Sequence, residues 1–592
     1  MDSSRASPVV FQNAARLSAT RRGWSSKCSM PIRAGLSGSA CAAPRGRQAA
    51  EKCLVARVSV VRVGAGSRIH APLGRLAHEL AGLSGWRRYT AAVLLGGSAV
   101  AALPPVDLSP WLLVAFPGLL WLDDGSAGPR SSFGLGYAFG LGFFTAGFYW
   151  ISGALFVDIA TFWWLLPITA VGLPAVFAIY PGLSLFATQL ASNFLRLSPT
   201  ARVFAFAVAW TAAEWVRGHA FTGFPWNLIG STWSGGFPGA ITVLQCVAWI
   251  GIYGLSFVTV LAASLPSLLG ASSFVPISEG RRWMPAIGAA LLVLIPGVAG
   301  FVRLEAAPIA APEIWLRIVQ PSIPQTIKWK PAAAEANLQT LLKLSGTTSP
   351  RPIAAIIWPE AATPFLLERE AAVRRKIAAV VPDQGYLITG ALRASPSSGP
   401  VVHIWNSIEA LNAEGDIVGR YDKAHLVPFG EYFPFQDVLP FKKITSGAID
   451  LSAGPGPRTI ALPRLPPFAA AICYEAIFPG AIVDEQDRPD WILNLTNDAW
   501  YGRSSGPFQH LASARTRSVE EGLPMVRVAN NGISAVIDAT GRVRTRINLD
   551  TIGYADVVLP APGERTLYSR AGDWTLLVLL LLGSLPVVFR RR

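Results

Sequence analysis

A series of long apolar runs separated by short loops extends from Tyr89 to Arg303 of this 592-residue chain. Hydrophobic residues make up 51% of the chain and charged residues only 15%, which is unusual for a soluble enzyme, so membrane spans are expected. The pattern predicts seven spans at about 89–104, 109–123, 132–156, 160–192, 201–217, 238–270 and 284–302. An eighth apolar run, "DWTLLVLLLLGSLPVVF" at 573–589, precedes three C-terminal arginines.

The charge of the connecting loops predicts how these spans are oriented. The loops "DDGSAGPR", "SNFLRLSPTAR" and "SEGRRW" carry basic residues, as do the flanks "GWRRY" and "RRR", whereas the alternate loops carry almost none. Basic loops favour the cytoplasmic side. With eight spans, both termini lie in the cytoplasm and the large segment between spans seven and eight lies outside it. A re-entrant loop among the seven would reverse this conclusion.

The chain's net charge of +15 is concentrated in residues 1–88, which hold 15 Lys/Arg against three Asp/Glu. The charge therefore does not indicate a nucleic-acid-binding protein. This segment is rich in Arg, Ser and Ala and has no sustained apolar periodicity, which predicts a disordered tail. Its composition resembles an organellar transit peptide, and a true start further downstream is an equally good interpretation. We exclude it from the fold prediction.

A second kind of sequence occupies residues 312–566, between the membrane region at 89–303 and the last span. Short β-branched runs such as "IWLRIVQ", "IAAIIWPE" and "WILNLTND" alternate with helix-like stretches such as "PAAAEANLQTLLKLSG". This alternation predicts one α/β domain with a mostly buried sheet. "NAEGDIVGRYDK" and "DATGRVRTR" are typical of hairpin turns between strands.

Three polar residues stand at the ends of strand-like runs of this domain: Glu360, Lys423 and Cys473. Strand ends of an α/β domain are well placed to meet at one face of the sheet. A cysteine attacks as its thiolate and needs a base or a nearby cation. A partly desolvated carboxylate can be that base, and a lysine can stabilise the oxyanion formed at an attacked carbonyl.

Each of these residues also has a purely structural interpretation. A lone buried cysteine is more often a small hydrophobic residue, Glu360 after Trp-Pro can cap a helix, and Lys423 can be a surface residue in a turn. Cys473 is the only cysteine in this domain, which argues against a disulfide framework or a cysteine-based zinc site. His425 and His510 lack clustered carboxylates, so neither a metal nor another cofactor is expected.

The sequence blocks around these residues resemble those of a known enzyme superfamily, which favours a catalytic interpretation over a structural one. "WPE" at 358–360, "YDKAHLVPFGEYFPF" at 421–435 and "CYEAIFP" at 473–479 resemble, in this order, the signature blocks of the nitrilase (carbon–nitrogen hydrolase) superfamily. The resemblance implies an αββα sandwich. It also implies Glu360 as general base, Lys423 as oxyanion stabiliser and Cys473 as nucleophile, with Glu431 orienting the lysine.

The spans narrow the resemblance to one membrane family. Together with "TGFPWNLIG", "QPSIPQTIKW" and "NLTNDAWYG", they are similar to bacterial apolipoprotein N-acyltransferases over roughly 89–592. This resemblance implies supporting roles for Trp329, Tyr474 and Glu475. Asn497 and Asp498 are expected to line the site, and His425 is expected to be a scaffold residue. Glu214 and Arg217 are expected to pair with each other or to meet a lipid head group.

The reaction implied by this resemblance uses a phospholipid, with phosphatidylethanolamine the expected donor, and a diacylglyceryl apolipoprotein as acceptor. Cys473 would form a thioester with the acyl chain, and the acceptor amine would then take that chain in a ping-pong reaction. The implied location is the bacterial inner membrane, with the catalytic domain on the periplasmic side. Two alternatives are a membrane-tethered amidase that uses water and a transporter with a non-catalytic nitrilase-like domain.

Overall fold

A computed structural model describes residues 71–271, 283–306, 313–434 and 450–589. Predictions that concern residues 1–70, most of the loop "SEGRRW", Phe435 and the terminal arginines lie outside the described residues. The N-terminal helices are α1 Ala71–Gly82, α2 Gly85–Ala99, α3 Leu112–Asp124, α4 Pro129–Phe148, α5 Ile159–Phe162, α6 Leu173–Phe177, α7 Ile179–Leu195, α8 Pro199–His219, α9 Ala240–Leu244, α10 Val247–Ser264, α11 Ser267–Ala271 and α12 Met284–Ala306.

Helices occupy the positions of the predicted spans, but they are not equally suited to cross a membrane. Within the described residues, four helical stretches are long and apolar enough: Pro129–Leu165, Ile168–Leu195, Val247–Gly270 and Met284–Ala306. Helices α2 and α3 are short, α8 carries charged residues within its length, and the C-terminal apolar helix spans only Trp574–Val588. The prediction of a multi-pass helical region is confirmed, whereas eight separate crossings stay a prediction.

The prediction of disorder up to residue 88 is wrong for residues 71–88, which form α1 and the start of α2. Helix α1 packs through small residues, because Gly270 approaches so closely that an added Cβ would lie 2.7 Å from the Cβ of Ala77. Arg88 is buried and donates from Nη2 to the carbonyl oxygen of Leu122 (2.6 Å) at the end of α3. Close backbone packing and this buried cation hold the segment without an extended apolar stripe.

The α/β domain contains two six-stranded sheets. In spatial order the first is β12-β1-β2-β3-β4-β5 and the second is β11-β10-β9-β8-β7-β6. The strands are β1 Trp315–Gln320, β2 Ile353–Ile357, β3 Tyr386–Ser395, β4 His403–Leu411, β5 Ile417–Asp422, β6 Thr459–Leu462, β7 Leu465–Ile472, β8 Trp491–Thr496, β9 Met525–Ala529, β10 Ser534–Ile537, β11 Val543–Ile547 and β12 Gly553–Val558. The predicted hairpin turns are confirmed as the antiparallel pairs β4–β5 and β10–β11.

Helices cover both outer faces of the paired sheets, which gives the predicted αββα sandwich. The remaining helices are α13 Gln325–Lys328, α14 Pro331–Ser345, α15 Ala371–Ala378, α16 Gly506–Glu521, α17 Leu567–Ala571 and α18 Trp574–Val588. The inner sheet faces share a core that includes Ile357 and Leu493. Leu338 of α14 packs on the first sheet, and Ala514 of α16 packs on the second.

The sandwich rests on the helical region through α16. The main-chain N–H of Ile252 in α10 donates to Glu520 Oε1 (2.8 Å) next to a kink at Gly251, whose φ is +64°. A side chain at Gly251 would collide with Tyr568, since an added Cβ would lie 2.3 Å from its ring. The absence of a side chain at Gly251 therefore allows helix α10 to pack closely against Tyr568.

Candidate active site

The structure places Glu360, Lys423 and Cys473 just beyond the ends of β2, β5 and β7. The first two strands belong to one sheet and β7 to the other, so the site lies between the sheets at one edge of the sandwich. All three side chains are buried. Glu360 lies in a turn that crosses Gly390 of β3, where an added Cβ would be only 2.5 Å from the Cα of Glu360. A glycine at 390 is therefore needed for this turn.

Asn406 joins the two carboxylates of the site. Its Nδ2 donates to Glu360 Oε1 (2.7 Å) and to Glu431 Oε1 (3.1 Å). Lys423 Nζ donates to Glu431 at 2.9 Å, and Val427 N donates to the other oxygen of Glu431 at 2.8 Å. Glu431 thus holds Lys423 through a charged hydrogen bond, and its role in orienting the lysine for catalysis stays a prediction. Asn406 was not predicted, because an asparagine within a strand carries no distinguishing pattern.

Cys473 begins a short 3₁₀ turn, Cys473–Ile477, and has a φ of +49°. A positive φ is unfavourable for a residue with a side chain, so the surroundings must impose it. Glu475 supplies part of this constraint: one of its oxygens accepts from Ile472 N (2.7 Å), and the other accepts from Tyr421 Oη (2.8 Å) and Ala424 N (2.8 Å). Glu475 therefore ties the cysteine turn to the loop that follows Lys423.

A second buried network supports the cysteine from behind. His510 donates through Nε2 to the carbonyl oxygen of Cys473 (2.9 Å), and its Nδ1 lies 2.8 Å from Asp498 Oδ1. Arg527 donates to Asp498 Oδ2 at 2.8 Å. Because the Nε2 atom of His510 is bound to the main chain, this histidine holds the turn rather than taking the proton of the thiol. Arg527 was not anticipated from the sequence, since it lies inside an ordinary strand.

The pKa shifts distinguish the groups of the site that are always charged from the cysteine, which is neutral at rest. Burial, together with the negative charge of Glu360, raises the pKa of Cys473 to about 12, while Lys423 acts to lower it. Burial alone would lower the pKa of Lys423, but Glu431 and Glu360 hold it above its usual value. Burial alone would raise the pKa of Asp498, yet Arg527 and His510 bring it to about 2. The resting cysteine is thus a thiol that requires a base, beside a permanent cation.

The donor atoms of Cys473, Asp498 and His510 lie within 4.8 Å of one another, a grouping that could in principle bind a metal. Both ring nitrogens of His510 and both oxygens of Asp498 already have protein partners. The positively charged guanidinium of Arg527 already contacts Asp498 and His510, the ligands that a metal ion would need. The chemistry of this donor set therefore fits a charge-paired support for the cysteine and does not fit a cation site.

Aromatic contacts join the cysteine turn to a loop of the helical region. Tyr474 Oη donates to the carbonyl oxygen of Gly223 (3.1 Å), in the loop after α8, and its ring stacks on Phe224 with centroids 6.3 Å apart. The ring of His425 stacks on Phe478 at 3.8 Å, consistent with the scaffold role predicted for it. Trp329 is half-buried and follows α13 beside the site.

Glu214 and Arg217 hold the same loop and do not pair with each other in the described structure. Glu214 Oε1 accepts from Ile229 N at 2.9 Å, while Arg217 Nη1 donates to the carbonyl oxygens of Phe224 and Trp226, both at 2.7 Å. The predicted ion pair is thus replaced by two separate contacts with loop backbone. A buried backbone turn within apolar surroundings needs such partners, because water is not available to it.

The comparisons with known proteins cover both parts of the chain. Residues 95–265 match the family described as the apolipoprotein N-acyltransferase N-terminal domain, and residues 316–563 match the carbon–nitrogen hydrolase family. Among solved structures, an amidase from Nesterenkonia sp. has 16% sequence identity and a TM-score of 0.33, covering 46% of this chain and 97% of its own.

Curated relatives match nearly end to end. The apolipoprotein N-acyltransferase of Rhodopseudomonas palustris is 38% identical over 538 residues, which are 88% of this chain and 98% of the relative. That of Bradyrhizobium diazoefficiens is 40% identical over 528 residues, or 86% and 96% of the two chains. With a multi-pass helical region joined to a nitrilase-like sandwich that holds a buried cysteine, the chain belongs to the apolipoprotein N-acyltransferase family.

Proposed function

We propose that this protein transfers an acyl chain from a membrane phospholipid to the N-terminal amine of a diacylglyceryl-cysteine apolipoprotein. The observation that carries the proposal is the position of Cys473, next to Glu360 and Lys423 and closed by a loop of the membrane helices. The contact between Tyr474 Oη and Gly223 O links the residue after the nucleophile directly to this loop. Such a site suits a donor that enters from the lipid and not from water.

In the first half-reaction the Sγ atom of Cys473 attacks an ester carbonyl of the phospholipid. Glu360 takes the thiol proton and returns it to the departing alcohol, so that a lysophospholipid leaves and a thioester remains. Lys423 is oriented to donate to the oxyanion of the tetrahedral intermediate, since Glu431 keeps it charged and in place.

In the second half-reaction the free α-amine of the apolipoprotein attacks the thioester. An amide bond forms, the C–S bond breaks, and a proton from the amine returns to the cysteine by way of Glu360. Water would compete as acceptor and produce a fatty acid, so the site must be dry. Trp226 packs against Trp150 with ring centroids 4.7 Å apart, and Tyr501 packs edge-on against Trp150 at 4.6 Å, which supplies an aromatic wall on this side.

The decisive experiment is the intact mass of the purified protein after incubation with phosphatidylethanolamine. We expect an added acyl chain on the wild type and none on Cys473→Ala, and we expect a diacylglyceryl-cysteine peptide to remove the adduct. Accumulation of lysophospholipid and fatty acid without an adduct would favour a hydrolase that uses water. The absence of both adduct and turnover would favour the small-amide or transporter alternatives.

We further propose that eight spans place both termini in the cytoplasm and the catalytic domain on the periplasmic side of the inner membrane. The alternation of basic and uncharged loops supports this orientation. Labelling spheroplasts with a membrane-impermeant maleimide tests it. Ser397→Cys in an exposed loop of the catalytic domain should react, and Thr200→Cys in the first turn of α8 should react only after lysis, with the unsubstituted chain as background. The reverse pattern would contradict the orientation.

A further inference from the structure

A second buried lysine stands at the site, and the mechanism above does not use it. Lys328 ends α13 within the block "QPSIPQTIKW", and only 1% of its surface is exposed. Its Nζ donates to the main-chain carbonyl oxygen of Glu360 at 3.1 Å and lies 5.9 Å from the ring centre of Trp329. Lysine is almost never buried this fully without a charged partner, so its position requires an explanation.

The position of Lys328 is set by the loops around the nucleophile. Gln325, one turn earlier in α13, accepts from Asn497 Nδ2 at 2.9 Å, and Asn530 donates to Asn497 Oδ1 at 3.0 Å. Asn497 directly precedes Asp498 of the cysteine support. The same loop therefore fixes both the cysteine turn and the helix that carries Lys328.

The charges of the site indicate what this lysine does. Glu360 and Glu431 are both within hydrogen-bonding distance of one atom, Asn406 Nδ2, so two carboxylates lie close together. Lys423 is paired with Glu431. Buried carboxylates that lie close together need compensating positive charge, and Lys423 is hydrogen-bonded to Glu431 and not to Glu360. A second cation near Glu360 supplies that compensation.

The two lysines differ in how firmly they hold their protons. Glu431 and Glu360 hold the pKa of Lys423 above its usual value, against the effect of burial. Burial lowers the pKa of Lys328 to about 8, although Glu360 and Cys473 act to raise it. Lys423 is therefore a permanent cation, whereas Lys328 loses its proton just above neutral pH.

We propose that Lys328 is a positioning residue that holds the main chain of Glu360 and keeps the Glu360–Cys473 pair ionised during acylation. The negative charge moves from the Glu360 carboxylate to the cysteine sulfur as the proton is transferred, and Lys328 interacts electrostatically with both groups. The other charged or titratable groups around this pair are Lys423, Glu431, Glu475, Asp498, His510, Arg527 and Tyr501. The catalytic consequence rests on the proposed function, but the effect on the pair does not.

The test is the pH dependence of Cys473 alkylation by iodoacetamide in the full-length protein, which requires no lipid. Lys328→Met should slow alkylation at pH 7 about tenfold and move the acid limb of the profile up by roughly one pH unit, because an opposite charge near the base is lost. Lys330→Met, an exposed lysine two residues away, is the matched control and should leave the profile unchanged.

Lys328→Arg is a second variant for the same alkylation assay, in case Lys328→Met does not fold. Arginine keeps its charge at all accessible pH values, so the acid limb should stay in place and the inflection near pH 8 should disappear. A merely structural lysine would lower the amount of folded protein in both variants without moving either feature, and that result would overturn the proposal.

Acyl-enzyme formation from phosphatidylethanolamine then separates this inference from the proposed function. A shifted alkylation profile in a protein that forms no acyl adduct would refute the phospholipid reaction and leave the role of Lys328 intact. An unshifted profile in a protein that forms the adduct normally would refute the role of Lys328 alone.

Discussion

Helix α12 and strand β8 are both rich in apolar residues, yet the side chains of α12 are mostly exposed and those of β8 are buried. Every residue of β8, Trp491–Thr496, is buried. In α12, by contrast, only 11% of the most apolar 18-residue stretch is buried, and the side chain of Leu294 is 60% exposed. An exposed apolar helix is stable when lipid is its solvent, whereas an apolar strand is stable when it is enclosed by other sheets and helices. The same composition thus indicates two different environments.

The two regions differ equally in their buried charges. The sandwich holds Glu360, Lys423, Asp498 and Arg527 together around one cysteine, each with a charged or amide partner. In the helical region, by contrast, Glu214 and Arg217 fix the backbone of one loop, and Arg88 binds a carbonyl oxygen near the end of α3. Grouped buried charges are costly to desolvate, and they are tolerated here because each one compensates another.

The strongest test of this contrast removes the proposed base, Glu360, from the charged cluster. Glu360→Gln keeps the shape and the hydrogen bond from Asn406 but cannot take the thiol proton, so we expect acyl-enzyme formation to fall about 1,000-fold. Rapid-quench intact mass spectrometry measures the rate. Glu335→Gln changes an exposed glutamate and should have no effect. A loss of less than tenfold would show that Glu360 is not the base.

The same substitution, Leu→Ala, should affect stability differently in the two regions. Leu493→Ala in β8 leaves a cavity between the sheets and should lower stability by about 3 kcal/mol, whereas Leu294→Ala in α12 should lower it by less than about 0.5 kcal/mol. Thermal unfolding in detergent compares the two variants directly. Similar shifts in Tm would mean that α12 is packed against protein and not against lipid.

Asp498→Asn should destabilise the protein in a pH-dependent manner. The folded pKa of Asp498 is about 2, below the usual unfolded value of about 3.9, so the carboxylate contributes stability above about pH 4 that is lost as the pH falls through 2. We expect a loss of about 2 kcal/mol at pH 7 that shrinks toward pH 2. Thermal melts across this range measure it, with the exposed Asp416→Asn as control. A pH-independent loss would contradict the charge pairing.

Tyr474→Phe should have the smallest effect, because it removes one hydrogen bond between the catalytic domain and the helical region. We expect a cost of about 1 kcal/mol, seen as a roughly fivefold slower discharge of the acyl-enzyme by the peptide. Tyr554→Phe, in β12, is a control that keeps the ring stacked on Arg317. An unchanged rate with a lowered Tm would assign Tyr474 to stability alone.

Several elements were predictable because their causes are local. The hairpin turns, the strands "IAAIIWPE" and "WILNLTND" and the apolar helices follow from turn residues, β-branched runs and length. The boundary of the tail was missed because α1 is held by small residues and by Arg88, which produce no apolar periodicity. The pairing of Glu214 with Arg217 was wrong because buried main-chain groups of the neighbouring loop compete for both side chains.

The sequence by itself determined the division into an apolar helical region and an α/β domain, and its ordered blocks singled out Glu360, Lys423 and Cys473. Only the tertiary structure decided which groups surround them. Asn406, His510, Arg527 and Lys328 lie on separate strands and helices, and they become neighbours only when the two sheets pack. Local patterns record backbone preference and burial, whereas the charge balance of a buried site depends on contacts between residues distant in the chain.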